Sequence, residues 1–213
     1  MEHISRYILP LVILIILIIV LRFKPTLSQM SLWKLLVPYL FINLIIESTA
    51  NILEANGKNN LSLYNFQLAF EVLIFLYIFH NIAETEKFFI RLFIVIFILF
   101  FGVNIIFIQG PKIFQTYSYA LGCLLMLICS INCLLKNILQ TSDLHPLRDF
   151  SFWFSIGVLF CYLGNAFYLS LVNKLVSTDK FALKDLSIIS LTVNTIMYTL
   201  IGAGSICQRK KMT

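Results

Sequence analysis

Charged residues are scarce in this sequence. Asp, Glu, Lys and Arg make up only 12% of the 213 residues, whereas 60% are hydrophobic. Soluble domains average about 25% charged and about 45–50% apolar residues, so this composition belongs to a protein whose solvent is mostly lipid. The net charge of +6 does not indicate a nucleic-acid partner, because the basic residues stand in short loops and tails rather than in a basic stripe.

Residue types that carry catalysis or hold metals are also few. The chain has three histidines and five cysteines. Cys129 and Cys133 are four residues apart and share a helix face, but the further Cys or His ligands of a zinc site are missing from their neighbourhood. Neither a serine-nucleophile motif nor a Gly-x-Gly-Asp motif occurs. The sequence therefore predicts no catalytic residue, no metal and no cofactor.

What the sequence has in abundance is long apolar runs. Seven stretches come near the ~20 residues that a helix needs to cross ~30 Å of hydrocarbon. They predict an all-α fold: a polytopic membrane protein with a seven-transmembrane-helix bundle, forming a single domain over residues 1–213. The predicted helices cover residues 6–22, 32–54, 61–83, 88–109, 113–135, 150–172 and 186–207.

The distribution of basic residues predicts the orientation. With the N-terminus outside, ten of the 16 Lys and Arg residues fall on the cytoplasmic side and six on the outer side. Short cytoplasmic loops carry the excess of basic residues in membrane proteins. The bias therefore favours an outer N-terminus and a cytoplasmic C-terminus.

Two acids stand near the middle of apolar runs that are joined by the polar turn 56–60. Glu47 lies in the second helix and Glu71 in the third. A carboxylate in hydrocarbon costs at least ~2.5 kcal/mol, so such residues turn inward and mark functional sites. Polar residues at intervals of three or four surround both acids and place them on polar stripes. These stripes are Asn43, Glu47, Asn51 and Glu54 in the second helix, and Tyr64, Gln67 and Glu71 in the third.

The sixth and seventh helices carry similar stripes, and Gly157 and Gly164, seven residues apart, predict close helix packing. Amides and acids that faced lipid would lose their hydrogen-bond partners, so four striped helices indicate a shared polar interior. We expect an outward-opening pocket that binds a small ligand. The predicted ligand-binding residues are Glu47, Gln67, Glu71, Tyr162, Asn165, Asn194 and Tyr198.

Several of these segments resemble a known group of proteins. The run FSFWFSIGVLF at 150–160, continued by Tyr162, Gly164 and Asn165, resembles small bacterial seven-helix membrane proteins of unknown function. Glu47 with the 64–71 stretch, and the helix end at 207–210, resemble theirs as well. Those proteins are similar to the membrane sensor parts attached to, or acting beside, histidine kinases. The resemblance implies a multi-pass protein of the bacterial inner membrane that signals to a separate cytosolic protein.

Three classes of function stay open on the sequence. The leading hypothesis is a receptor-like or sensor-like membrane protein, with a small ligand on the outer side, a cytosolic signalling partner and the lipid bilayer around it. An intramembrane enzyme acting on lipid would use the two carboxylates as acid and base. A small proton-coupled transporter is the third class, although the helices do not form two matching halves.

Overall fold

The computed structural model describes residues 2–22, 30–82, 86–139, 146–175 and 180–209. Over these ranges the chain is all-helical, without a β-strand, and has seven α-helices. They are α1 (Glu2–Arg22), α2 (Met30–Ala55), α3 (Leu61–Ile82), α4 (Lys87–Val103), α5 (Thr116–Leu139), α6 (Phe150–Leu175) and α7 (Lys180–Arg209). The predicted all-α class is confirmed. The end of the basic C-terminal segment, residues 210–213, lies outside the described residues.

Six of the described helices are long and apolar enough to cross a membrane. The apolar part of α1, Tyr7–Arg22, is shorter than the other six. Large apolar side chains stand on the outside of the helices; Phe107 is 79% exposed and Leu139 is 80% exposed. In water such surfaces would be unfavourable, whereas lipid solvates them. These features fit a multi-pass membrane protein.

The chain divides into two compact units, Met1–Gly122 and Cys123–Thr213. The first unit holds α1 to α4 and the start of α5, and the second holds the rest of α5 with α6 and α7. The expectation of a single domain stays a prediction.

A tight turn joins α2 to α3, as the polar stretch 56–60 predicted. Gly57 adopts a positive φ of 65°, which a glycine tolerates without steric cost. Its N–H donates to the carbonyl of Glu54, and the N–H of Lys58 donates to the carbonyl of Leu53, which is the Schellman pattern of a helix end. Asn59 Oδ1 then accepts the N–H of Leu61 at the start of α3. The two helices therefore form an antiparallel hairpin.

The predicted fourth helix, 88–109, agrees to within one residue with the helical range Lys87–Ile108, although its last turn, Asn104–Ile108, is π-helical. Other predicted helix ends are wrong: the first helix starts at Glu2 rather than 6, and the fifth ends at Leu139 rather than 135. The fifth helix starts at Thr116 rather than 113, because Asn65 of α3 bonds the preceding loop: its amide donates to the carbonyl of Ile113 at 2.9 Å. The seventh helix starts at Lys180, six residues before the predicted start, because helical hydrogen bonding continues beyond the apolar part of the sequence.

Helices α6 and α7 pack closely through small residues. A Cβ atom built on Gly157 would stand 3.2 Å from the carbonyl oxygen of Met197, and one on Gly164 would stand 2.5 Å from a methyl carbon of Val193. Gly204 of α7 meets Trp153 of α6 in the same way, at 2.8 Å. The close packing predicted from Gly157 and Gly164 is confirmed. Small residues at an interface let two membrane helices approach each other.

This packing predicts a difference between two glycines. Gly164→Val introduces a branched side chain against Val193 and should lower the free energy of unfolding by about 1–3 kcal/mol. Gly102→Ala in α4 is the control, because a Cβ atom there meets nothing within 4 Å. The midpoint of thermal unfolding in detergent, measured for each purified variant, reports its change in stability. Equal unfolding midpoints for the two variants would contradict the role assigned to Gly164.

Candidate functional site

Five polar residues form what we name the α2–α3 ladder: Tyr39, Asn43, Glu47, Gln67 and Glu71. In α2 the three members are four residues apart, and in α3 the two members are also four apart, so each set occupies one helix face. Because the hairpin is antiparallel, late residues of α2 stand opposite early residues of α3. The ladder therefore brings together, inside the first unit, the three predicted ligand-binding residues that this unit contains.

The rung nearer the turn centres on Gln67. Its amide nitrogen donates to Asn43 Oδ1 and to Glu47 Oε1, each at 2.9 Å. A side-chain amide has two hydrogens, so both are used in holding α2. Asn43 is fully buried and Glu47 is 9% exposed. Gln67 thus fixes the position of the Glu47 carboxyl group from the neighbouring helix.

The second rung joins Tyr39 to Glu71. The Tyr39 hydroxyl donates to Glu71 Oε2 at 2.9 Å, and the tyrosine is fully buried. Its ring packs against Phe75, with 4.9 Å between the ring centroids. Asn43 links the two rungs, because its amide nitrogen donates to the backbone carbonyl of Tyr39 at 3.1 Å. Because Tyr39 is buried and its hydroxyl is bonded, the position of the Glu71 carboxyl group is also set from the neighbouring helix.

Acidic residues outnumber Lys and Arg in this hairpin. Between residues 35 and 86 the sequence contains one Lys or Arg, Lys58, which lies in the exposed turn, and one histidine, His80, near the end of α3. The donors that the ladder offers to the two acids are the neutral groups of Gln67 and Tyr39. Neutral donors fix a carboxyl group in place without cancelling its charge. The arrangement can therefore attract a proton or a positively charged ligand.

The four predicted residues of the second unit lie on α6 and α7, and all are wholly or partly buried. Tyr162 and Tyr198 are 1% and 2% exposed. Asn165 donates to Cys161 Sγ at 3.3 Å, and Cys161 donates in turn to Asn194 Oδ1 at 3.3 Å. One cysteine thus connects the two predicted asparagines across the α6–α7 interface. The expectation that these four residues share a pocket with Glu47, Gln67 and Glu71 stays a prediction.

Sequence reasoning missed two residues of these networks. Tyr39 stands four residues before Asn43 and continues its stripe, so the helical period could have found it. Cys161 had no such signal, because a cysteine in an apolar run is usually a small packing residue. The stripe residue Glu54, in contrast, is exposed at the end of α2 and belongs to neither rung of the ladder.

Comparison of the chain with protein families, with curated proteins and with solved structures gives no match.

The ladder generates a prediction about stability. Tyr39→Phe removes the hydroxyl that holds Glu71 and should lower the free energy of unfolding by about 1–2 kcal/mol, the upper range for a hydrogen bond between membrane helices. Tyr117→Phe, at a residue 57% exposed, should change it by less than about 0.5 kcal/mol. Unfolding of each purified variant in detergent measures the change in its free energy of unfolding.

A double-mutant cycle with Glu71→Ala, which removes the acceptor, separates the bond from other effects of the substitution. If the effects of Tyr39→Phe and Glu71→Ala simply add, the two side chains are not coupled and the second rung is absent in the membrane protein.

Proposed function

We propose that this protein is a receptor-like or sensor-like membrane protein. A small ligand binds at the α2–α3 ladder, and the bound state is passed to a separate cytosolic partner. The observation that carries the proposal is the pair of acids, Glu47 and Glu71, held between two apolar helices by neutral donors. Acids at such positions are costly, and in membrane proteins they commonly mark ligand or ion sites.

The ligand that fits this site carries a positive charge. Two carboxyl groups on facing helices, with a tyrosine hydroxyl and two amides beside them, offer acceptors to an amine or a small cation. Lys58, the one Lys or Arg between residues 35 and 86, is exposed in the turn. We expect an anionic ligand to be rejected by the same two charges.

We further propose a seven-span topology with the N-terminus outside and the C-terminus in the cytoplasm, in the inner membrane of a bacterium. The excess of basic residues on one side supports this orientation. The α2–α3 turn then faces outward. Glu47 and Glu71 stand about 12 and 15 Å from the helix ends that flank the turn, at 1.5 Å per residue. The site would open to the outside, and the end of α7 would face the partner.

Ligand binding can be tested on the purified full-length protein with methylamine, choline and putrescine as probes. We expect at least one to raise the thermal unfolding midpoint by roughly 3–6 °C at about ten times its Kd. Glu47→Gln and Glu71→Gln should abolish the rise. Glu54→Gln is the matched control, since it removes an exposed acid of the same helix and should keep the rise.

Two kinds of result would overturn the proposal. A rise that persists in Glu47→Gln and Glu71→Gln would place binding elsewhere, and no rise with any probe would remove the assigned ligand class. Turnover of lipid by the purified protein, or uptake of a probe into vesicles, would replace the receptor with an enzyme or a transporter.

The orientation has its own test in bacterial cells. Alkaline phosphatase, which is active only outside the cytoplasm, should be active when inserted at Asn59 in the α2–α3 turn. Green fluorescent protein fused after Thr213 should fluoresce, because it folds in the cytoplasm. The opposite pair of results would invert the topology and put the ladder on the inner side.

A further inference from the structure

Two aromatic side chains of α3 border the α2–α3 ladder. Phe66 and Phe70 are four residues apart and share one helix face, and their rings lie nearly parallel, with centroids 6.0 Å apart and 12° between the planes. We name these two residues the aromatic row. The Phe70 ring stacks in turn on Tyr39, with 6.4 Å between centroids and 21° between planes. Because the Tyr39 hydroxyl donates to Glu71, the row and the ladder share Tyr39 and are continuous.

The aromatic row runs from the outside of the hairpin to its interior. Phe66 is 57% exposed, Phe70 is partly exposed and Tyr39 is fully buried. Gln67 and Glu71 each follow a residue of the row by one position, about 100° around α3, and both are partly exposed as well. An exposed side chain has free space beside it. The surface of the hairpin is therefore open where the aromatic row meets the ladder.

This edge of the hairpin offers two kinds of contact to a ligand. Glu71 accepts a hydrogen bond from the neutral hydroxyl of Tyr39, which leaves its carboxyl group able to attract a positive charge. Phe66 is apolar, and its exposed surface can pack against a further ring or an alkyl chain. Ring faces also attract ammonium groups within about 6 Å of their centroids. A ligand that uses both contacts has a cationic part and an apolar part.

The position of the aromatic row along α3 favours the same kind of ligand. The segment Leu61–Ile82, which contains both rings and Glu71, is long and apolar enough to cross a membrane. An apolar body placed on the row would lie among acyl chains, which solvate it. A polar body in the same place would lose its hydrogen-bond partners. The ligand expected here is therefore apolar apart from its positive group.

We propose that the ligand of the α2–α3 ladder is an amphiphilic amine, whose protonated amino group binds Glu71 and whose apolar body lies on Phe66 and Phe70. This inference rests on the proposed function, because it takes the ladder as the ligand site. It adds the aromatic row as the surface that sets specificity. The cause of the specificity is burial, since each methylene that the row removes from water strengthens binding roughly fourfold.

Three probes separate the charge from the apolar body. Methylamine carries the charge alone, benzyl alcohol carries the ring alone, and benzylamine carries both. Calorimetric titration of the purified full-length protein in a nonionic detergent should give benzylamine a Kd about tenfold or more below that of methylamine. Benzyl alcohol controls for partition into the micelle and should not bind at the same concentrations. Glu71→Gln should abolish the binding of benzylamine.

Two exposed phenylalanines of the first unit provide matched variants. Phe66→Ala removes the outer ring of the aromatic row and should bring the ratio of the methylamine Kd to the benzylamine Kd towards one. Phe88→Ala removes a ring of α4 that is 73% exposed and packs on Phe89, and it should keep the ratio of the unmodified protein. Both side chains are more than half exposed, so both variants should fold.

The possible outcomes distinguish this inference from the proposed function. Equal Kd values for the two amines, or an unchanged ratio in Phe66→Ala, would overturn the amphiphilic ligand: lipid alone would then cover the aromatic row, and the ladder would remain a cation site. Benzyl alcohol binding as tightly as benzylamine would also contradict the inference, because the charge would then play no part. No binding of either amine, or benzylamine binding that persists in Glu71→Gln, would overturn both proposals.

Discussion

The structure depends on one constraint: a polar group inside an apolar helix must find its partner within the protein, because lipid offers none. The α2–α3 hairpin meets this constraint residue by residue. Gln67 uses both amide hydrogens on α2, and Tyr39 uses its hydroxyl on Glu71. These bonds fix which faces of α2 and α3 meet, since rotating either helix would break them. The same contacts that make the hairpin specific also define the proposed site.

The two units differ in the contacts that hold each together. In the first, amides and hydroxyls hold α2, α3 and the α4–α5 connection through side-chain hydrogen bonds. In the second, the hydrogen bonds through Cys161 are joined by close packing, because Gly157, Gly164 and Gly204 let α6 and α7 approach each other. Packing of this kind is apolar and carries no charge. The charged chemistry described here is therefore concentrated in the first unit, where both acids of the ladder lie.

Much of the helical plan was predictable because it depends on local sequence. Apolar length located the helices, and the Asn56-Gly57 pair located the α2–α3 turn. The periodic stripes placed Glu47 and Gln67 on facing sides. The π-helical turn after α4 and the start of α5 could not be predicted, because they depend on Asn65, a residue about 40–50 positions away in the sequence, and on the hydrogen bonds of Asn104. Long-range contacts of this kind leave no periodic signal.

Helix α3 carries both polar networks of the first unit, on different sides. Asn65 bonds the α4–α5 connection, and Gln67, two residues later and thus about 200° around the helix, bonds α2. Sliding or rotating α3 alone would break the bonds on both sides and leave several buried amides unpaired, which is unfavourable in proportion to their number. A ligand that binds the ladder would therefore have to move α3 together with its neighbours. Such a connection fits the proposed sensor function, because a bound ligand would then shift several helices together.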